Sequence, residues 1–417
     1  MSDYFNLKSN IVSDISNVLS YDLTHTIGNF LHEIEPTEFV DKTRKKADVG
    51  DFVISRLRSY LKEFAVVEKK KGQQVFSTEY LVYEPKTEAI SSNTLVAYCL
   101  TKQVQTILNY SQYGSAHPRF YEFIFNELPV PDSLLKINTG INALFKRAFE
   151  LRTLSKQTYA EAERILLKEI GLQDFKPSQE PVNIKNFKEI FGTTKRLDAE
   201  YYQPKFEQLT GKIYATNQGK LLGELLDFNQ RGKQPEYTDE DGLFVINSKH
   251  IRKNKIDFTE NRKADVAATP KSLIIKKGDV LLNGTGVGTI GRCAAYLLTE
   301  PALPDNHVTI LRTKTMNPVF LSVMLNSIIG QMQVDKFFKG SSGQIELYPT
   351  DINQFVVWDA PEDIQSKIAN FVLNAYNLEA QSNQLLDVAK KAVEIAIEEN
   401  EGKALQFIKN NSEHDRF

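Results

Sequence analysis

Cysteine is almost absent: Cys99 and Cys293 are the only two in 417 residues, and neither has a partner at metal-ligand spacing. A disulfide framework is thereby excluded, and a reducing cytoplasm is the expected location. No run of about 18 apolar residues occurs, so no membrane span is expected. The opening MSDYFNLKSNIVSD lacks a basic stretch followed by an apolar one and does not read as a signal peptide. Strong charge of one sign is missing too, with a formal net charge of −2. That total can conceal a basic surface, because residues 361–401 hold eight acidic side chains against three lysines and leave the remainder modestly basic.

Catalytic signatures are missing as well. The six histidines are scattered, with no H-x-x-H or H-E-x-x-H spacing, so no metal site is expected. There is no G-x-S-x-G, no P-loop, no helicase motif and no D-P-P-Y or N-P-P-Y pocket for base methylation. Gly286-Val-Gly288-Thr-Ile-Gly291 matches G-x-G-x-x-G formally, but a dinucleotide site needs a helix to start inside the motif. Here Arg292-Cys-Ala-Ala-Tyr follows, which reads as strand, so the expectation is strand, glycine turn, strand. The chain is expected to be non-catalytic and to carry no cofactor.

What is present is a heptad that occurs twice. Ile364, Ile368, Phe371, Ala375, Leu378, Ser382, Leu385, Ala389, Ala392 and Ala396 follow alternating steps of four and three. Subtracting 227 from the first six gives Ile137, Ile141, Leu144, Ala148, Leu151 and Ser155, alike down to the serine. Such seams make helices that lie along one another, here as an antiparallel or pseudo-symmetric coiled coil. The repeat extends upstream. Gly50-Asp51 and Gly278-Asp279 each open a turn and an apolar strand, offset by 228, and 50–157 matches 278–384 throughout. The fold class is α/β: two tandem mixed α/β modules separated and joined by two long helices. A short helical pattern is expected around Ile11 to Leu23, helical period over 93–109, and a helix from Lys205. The first long helix is expected to stop near Lys156, because Thr158-Tyr-Ala-Glu161 forms a capping box for a new helix, which then ends at Gly171. Only 49 residues precede Gly50, whereas the second module reaches back roughly 94 residues to Ile184, so the first is either a compact or a truncated version.

Polar and basic side chains at strand ends and glycine loops recur in both copies. In the first they are Arg56, Arg58, Ser77, Thr78, Ser115, His117 and Arg119. In the second they are Arg231, Lys233, Lys249, His250, Arg252, Asn283, Thr285, Asn306, His307, Ser341, Ser342 and Gln344. Arg and Lys neutralise phosphates, while Arg, Asn and Gln also pair with base edges, so these are the candidate DNA-binding residues.

In the order of its motifs the chain resembles a specificity (S) subunit of a type I restriction–modification system. The resemblance rests on Arg196-Leu-Asp-Ala-Glu-Tyr-Tyr202-Gln-Pro204, Gly278-Asp279-Val280-Leu281 with its glycine turn, Gly340-Ser-Ser-Gly-Gln344, and Tyr159-Ala-Glu-Ala-Glu-Arg-Ile-Leu-Leu-Lys-Glu-Ile-Gly-Leu172. It implies a target-recognition domain over 1–131, a central spacer helix and linker over 132–180, a second target-recognition domain over 181–358, and a C-terminal spacer helix over 359–417. It further implies that the chain binds double-stranded DNA at a bipartite target. Two DNA methyltransferase (M) subunits carrying S-adenosylmethionine would join it, and restriction/translocase (R) subunits would add cleavage. The alternative is a coiled-coil scaffold that binds a methyltransferase or other protein without touching DNA.

A helix over 361–396 is about 54 Å long, and half-sites one DNA turn apart lie ~34 Å from each other, so the helices can serve as a ruler. One helical turn inserted at Thr158 is expected to change the gap between half-sites and leave the bases read unchanged. Methylation mapping checks this, and an unaltered gap rules out the ruler.

Overall fold

A glycine with positive φ followed by a buried aspartate opens the central strand of each half. Gly50 and Gly278 sit at φ +94° and +95°, a conformation glycine adopts without steric cost. Asp51 then accepts from the Asp48 amide at 2.8 Å, and Asp279 from the Lys276 amide at 3.0 Å. Each carboxylate is 3 to 4 % exposed as a residue or side chain and neutralised by one cation, Lys8 at 2.8 Å in the first half and Arg312 at 2.8 Å in the second. The same turn is thus stabilised from two different strands.

The computed structural model describes residues 1–180, 182–341, 343 and 345–412. They form two compact units, Met1–Leu154 with Leu378–Phe417, and Ser155–Asn377. In the first unit, β1 (Phe5–Lys8), β2 (Phe52–Ser55), β3 (Phe64–Val66) and β4 (Tyr80–Pro85) make an antiparallel sheet in the order β1-β4-β2-β3. Helices α1 (Ser92–Cys99), α2 (Lys102–Tyr110) and α3 (Asp132–Glu169) follow. The second unit repeats this arrangement. Strands β5 (Leu226–Arg231), β6 (Val280–Asn283), β7 (Cys293–Ala295) and β8 (Val308–Thr313) are ordered β5-β8-β6-β7. Helices α4 (Pro318–Asn326), α5 (Ile328–Phe337) and α6 (Glu362–Glu398) come after them. Even the register agrees: Phe52 faces Tyr83 as Val280 faces Leu311. The short first module therefore has the complete sheet. What it lacks is the helix Pro204–Tyr214 and strand Gly219–Leu221 that precede β5.

Strands β2 and β6 are buried at all four positions, which explains their unbroken apolar runs: each sheet is covered on both faces. Phe52 and Ile54 enter a core shared with the helices, while Val53 enters one shared with the strands inserted between β1 and β4. Val280, Leu282 and Leu281 divide in the same way. Complete burial of such a side chain is worth roughly 1.5–3 kcal/mol. The paired helices are capped alike, with Ser91, Thr101, Asn317 and Ser327 accepting from the first helical amides.

Helices α3 and α6 pack antiparallel. In the first unit Ile137, Ile141, Leu144, Ala148 and Leu151 of α3 share a core with Leu385, Val388, Ala389, Ala392 and Ala396 of α6, and Leu378 packs against it. In the second unit Ala162, Ile165 and Leu166 of α3 meet Ile368, Ala369 and Val372, with Ile364 and Phe371 at the edge. The two seam serines make reciprocal bonds. Ser155 Oγ donates to the Ala375 carbonyl at 2.7 Å, and Ser382 Oγ to the Ala148 carbonyl at 2.8 Å. The two serines are related to each other, and the two target alanines to each other, by the same 227-residue offset.

Four sequence expectations need correction. The first long helix does not stop at Lys156; α3 runs unbroken from Asp132 to Glu169. A capping box acts only where a helix is already interrupted, and no Gly or Pro stands near Thr158. The helical pattern over Ile11 to Leu23 is instead strands Ile11–Val12 and Ile15–Tyr21, because Asp14 and Asn17 take positive φ, which a helix cannot accommodate. The helical span 93–109 divides at Leu100–Thr101 into α1 and α2. Beyond α6 a further helix, Glu401–Ser412, inserts Ala404 and Ile408 into the first unit's core, where Ile408 Cδ1 lies against Gly140.

Ser382 is fully buried. Its hydrogen bond contributes about 1 kcal/mol, and alanine recovers about 0.5 kcal/mol of helix propensity. Ser382→Ala is therefore expected to leave the denaturation midpoint nearly unchanged. Ser382→Leu is expected to cost about 1–3 kcal/mol by overpacking, and a leucine variant as stable as the parent would show a loosely packed seam.

Candidate nucleic-acid interface

In the first unit four of the seven candidate residues come together beyond the end of β2. The Ser55 hydroxyl bonds Leu57 and turns the chain out of the sheet. Residues 56–58 then meet a short ribbon, Gln112–Tyr113 paired with Arg119–Phe120 and closed through Gly114. Arg58 N donates to the Pro118 carbonyl at 2.8 Å, with Arg58 itself at φ +49°. Its guanidinium lies 3.3 Å from His117 Nδ1. Arg119 grips Glu79 with both nitrogens of its fork, Nε to Oε2 at 2.9 Å and Nη2 to Oε1 at 2.6 Å, and Arg56 stands 3.8 Å from the same carboxylate. The Arg119 bonds hold Glu79 below the usual glutamate range. Ser77 accepts from the Glu79 amide at 3.4 Å, and Thr78 and Ser115 are exposed on adjoining turns. Sequence reading missed Glu79 itself and Lys45, whose ammonium donates to the Tyr80 carbonyl and whose pKa is lowered by burial and by Arg56. Nothing local marks these two, since the sheet brings them in from other strands.

The second unit gathers Arg231, Thr285 and His307. Arg231 donates to the carbonyls of Leu347 at 2.7 Å and Gly284 at 3.3 Å, reaches Glu346 at 3.5 Å, and stacks 5.1 Å from the Tyr348 ring centre. A Cβ at Gly284 would stand 2.9 Å from the Arg231 fork, so the fork occupies the space that a side chain there would take. Thr285 Oγ1 pairs with His307 Nδ1 at 2.8 Å. Thr285, His307, Lys339, Glu346 and Tyr348 line an open cleft of 620 Å³, in which Asp351 holds Lys339 at 2.8 Å. Lys339, Glu346 and Tyr348 carried no motif and were missed. The 286–291 stretch is a turn between paired strands β6 and β7, as expected, and no helix starts in it.

Other candidates lie elsewhere. Lys249 and Arg252 are exposed and paired loosely with Glu260 at 3.5 Å and Asp257 at 3.7 Å. Lys233 and Ser341 are exposed, and Asn306 is half-buried. Ser342 and Gln344 fall outside the described residues. Two candidates are not on the surface. His250 is 2 % exposed, accepts the Asn247 amide through Nδ1, and has its pKa lowered by burial. Asn283 is fully buried and donates to the Ser248 carbonyl. Both shape the loop from beneath, which polarity in a sequence could not distinguish from exposure. Near them Asn254, at φ +60°, bonds Tyr159 and Asn326 through its side chain and accepts from Tyr376 at its carbonyl, fastening the Lys249–Lys255 loop to α3 and α6.

Among the described residues no group of three His, Cys, Asp or Glu side chains is placed to hold a metal ion, and no helix is long and apolar enough to cross a membrane. No protein-family model matches the sequence, and no curated protein matches it. Solved structures do. One is a chain from the complex assembly and conformational transition of a type I restriction–modification system, at 15% identity and TM-score 0.32, over 92% of this chain and 98% of that one. Another is the HsdS subunit from Thermoanaerobacter tengcongensis, at 16% and 0.31, over 92% and 91%. A third is the type I restriction–modification S subunit from M. genitalium, at 11% and 0.44, over 98% and 94%.

Glu79→Gln removes the anchor of Arg119 and is expected to lower stability at neutral pH by about 1 kcal/mol, the small figure reflecting solvent screening of a half-buried pair. Because the folded-state pKa is depressed, this contribution exists above the ordinary glutamate value and disappears as pH falls through the lower folded value. Thermal melts of both proteins across that acid range should converge; a constant difference would show that the charge of Glu79 is not responsible.

Proposed function

We propose that this chain is the DNA-recognition subunit of a type I restriction–modification system and binds a bipartite duplex target. The observation that carries the proposal is the duplication: one sheet topology in one register occurs twice, followed each time by a long helix of an antiparallel pair, and beside each sheet lies a cluster of basic and polar side chains. A protein that reads two separated short sequences needs two such modules and a rigid element shared by both. Arg58, Lys249 and Arg252 would neutralise phosphates, while forked and amide side chains, Arg119 among them, pair with base edges. The paired carboxylates Glu79, Glu260 and Asp257 keep these cations from a net excess that would favour indiscriminate binding. Methylation itself belongs to partner M subunits that bring S-adenosylmethionine, and cleavage to R subunits; the exposed faces of α3 and α6 are the docking sites assigned to the M subunits.

Phosphate neutralisation makes affinity fall with salt. Duplex binding by the chain with its co-expressed methyltransferase is expected to weaken steeply as salt rises. Arg58→Ala and Lys249→Ala are each expected to reduce the logarithmic salt slope by about one. A stable methyltransferase complex that binds no duplex would replace this reading with the protein-only scaffold.

A further inference from the structure

The two clusters, so different in side chains, are built on one backbone frame. Arg56 N donates to the Glu79 carbonyl at 3.0 Å, and Gly284 N to the His307 carbonyl at 2.8 Å. Phe120 N donates to the Arg56 carbonyl at 3.2 Å, and Leu347 N to the Gly284 carbonyl at 2.8 Å. Leu57 forms a bridge with Arg119, and Thr285 with Glu346. Adding 228 to 56, 57 and 79 gives 284, 285 and 307; adding 227 to 119 and 120 gives 346 and 347. Three separate segments of the chain thus converge through the same bonds in both units. No local motif marks the match, because apart from the buried apolar pair Phe120 and Leu347 the residues at these positions differ in chemistry.

That dissimilarity is the informative part. At one position the first unit carries Glu79, an acceptor only, and the second carries His307, whose ring both donates and accepts. At the other the first unit carries the five-donor fork of Arg119 and the second carries Glu346, again an acceptor only. The neighbouring position differs as well: Arg56 is replaced by Gly284, and the cation there is supplied instead by Arg231 from β5, whose fork fills the space a side chain at 284 would take. The frame of three segments is kept while donor and acceptor exchange at 119/346 and a donor is added at 79/307. Base pairs in the major groove differ in their donor and acceptor patterns, so one frame bearing different patterns suits two different sequences.

We propose that positions 79 and 119 in the first unit, and 307 and 346 in the second, are equivalent specificity-determining positions. Arg119 and Glu346 read or exclude bases at corresponding places in their half-sites, while Glu79 and His307 select through the adjoining place and orient their neighbours. This rests on the DNA-recognition reading above and adds to it which residues set the sequence.

The test uses the full chain co-expressed with its methyltransferase, and methylation of the host genome mapped as the readout. The parent chain is expected to give a split motif. The double variant Glu79→His with Arg119→Glu is expected to alter one half and leave the other half and the gap unchanged. Arg119→Lys keeps the charge and removes the fork; it is expected to relax discrimination at one base pair of that same half by about tenfold. This milder variant decides the matter if the double variant abolishes methylation. An unaltered motif in Arg119→Lys, with the overall rate unchanged, overturns the assignment and leaves Arg119 as a phosphate contact or structural side chain. A parent chain that yields no motif at all removes the DNA-recognition reading and this inference together, and so differs from failure of the inference alone.

Discussion

Each unit depends on a central strand buried on both faces. With Phe52, Val53 and Ile54, or Val280, Leu281 and Leu282, fully or almost fully excluded from water, the sheet must be covered by helices on one side and inserted strands on the other. A strand so enclosed cannot shift register by one residue without sending each side chain into the opposite core. Its entrance is fixed as tightly, by a glycine of positive φ and a buried aspartate. Lys8 and Arg312, the cations that neutralise those aspartates, stand on different strands of the equivalent sheets. The turn is therefore held by the same physics but not by the same residue.

Where the enclosed strand ends, the chain becomes free to vary. Residues 56–58 and 284–286 leave the sheet at the same point and are caught by matching amide–carbonyl bonds, to which the Ser55 hydroxyl adds on Leu57 and the Arg231 fork on Gly284. This division suits the recognition role proposed above. The core resists change because its packing is dense, whereas the loop backbone is held by bonds any residue can make, so its side chains can be replaced without disturbing the sheet. Asn283 and His250 mark the boundary: polar, near the loops, yet buried and committed to holding backbone in place.

Helices α3 and α6 pair along a seam that contains serines where larger apolar residues would fit the pattern. The hydrogen bonds of Ser155 and Ser382 add little net stability, but each requires the alanine carbonyl of the opposing helix at one register only. A seam of interchangeable leucines and alanines tolerates sliding more readily than one with a buried and a half-buried hydroxyl, each bonded to its acceptor.

Patterns carried along the chain were legible in the sequence: the heptads, the Gly-Asp turns, the 227- to 228-residue repeat and the strand–turn–strand reading of the glycine motif. Each follows from spacing, which the backbone converts directly into a face or a turn. The continuity of α3 through Thr158 was not legible, because a capping box and a helix interior can share the same residues. Nor was the strand at Ile15–Tyr21, whose positive-φ breaks are invisible in spacing. The candidate residues divided similarly. Arg56, Arg58, His117 and Arg119 were found as basic side chains near turns, but their partner Glu79 and the equivalence of their frame to His307 and Glu346 arise from strands far apart in sequence. Periodicity determined the duplicated architecture and its helices; only tertiary structure decided which polar residues are buried, which meet, and which stand at matching places, because those depend on distances across a sheet that no local spacing encodes.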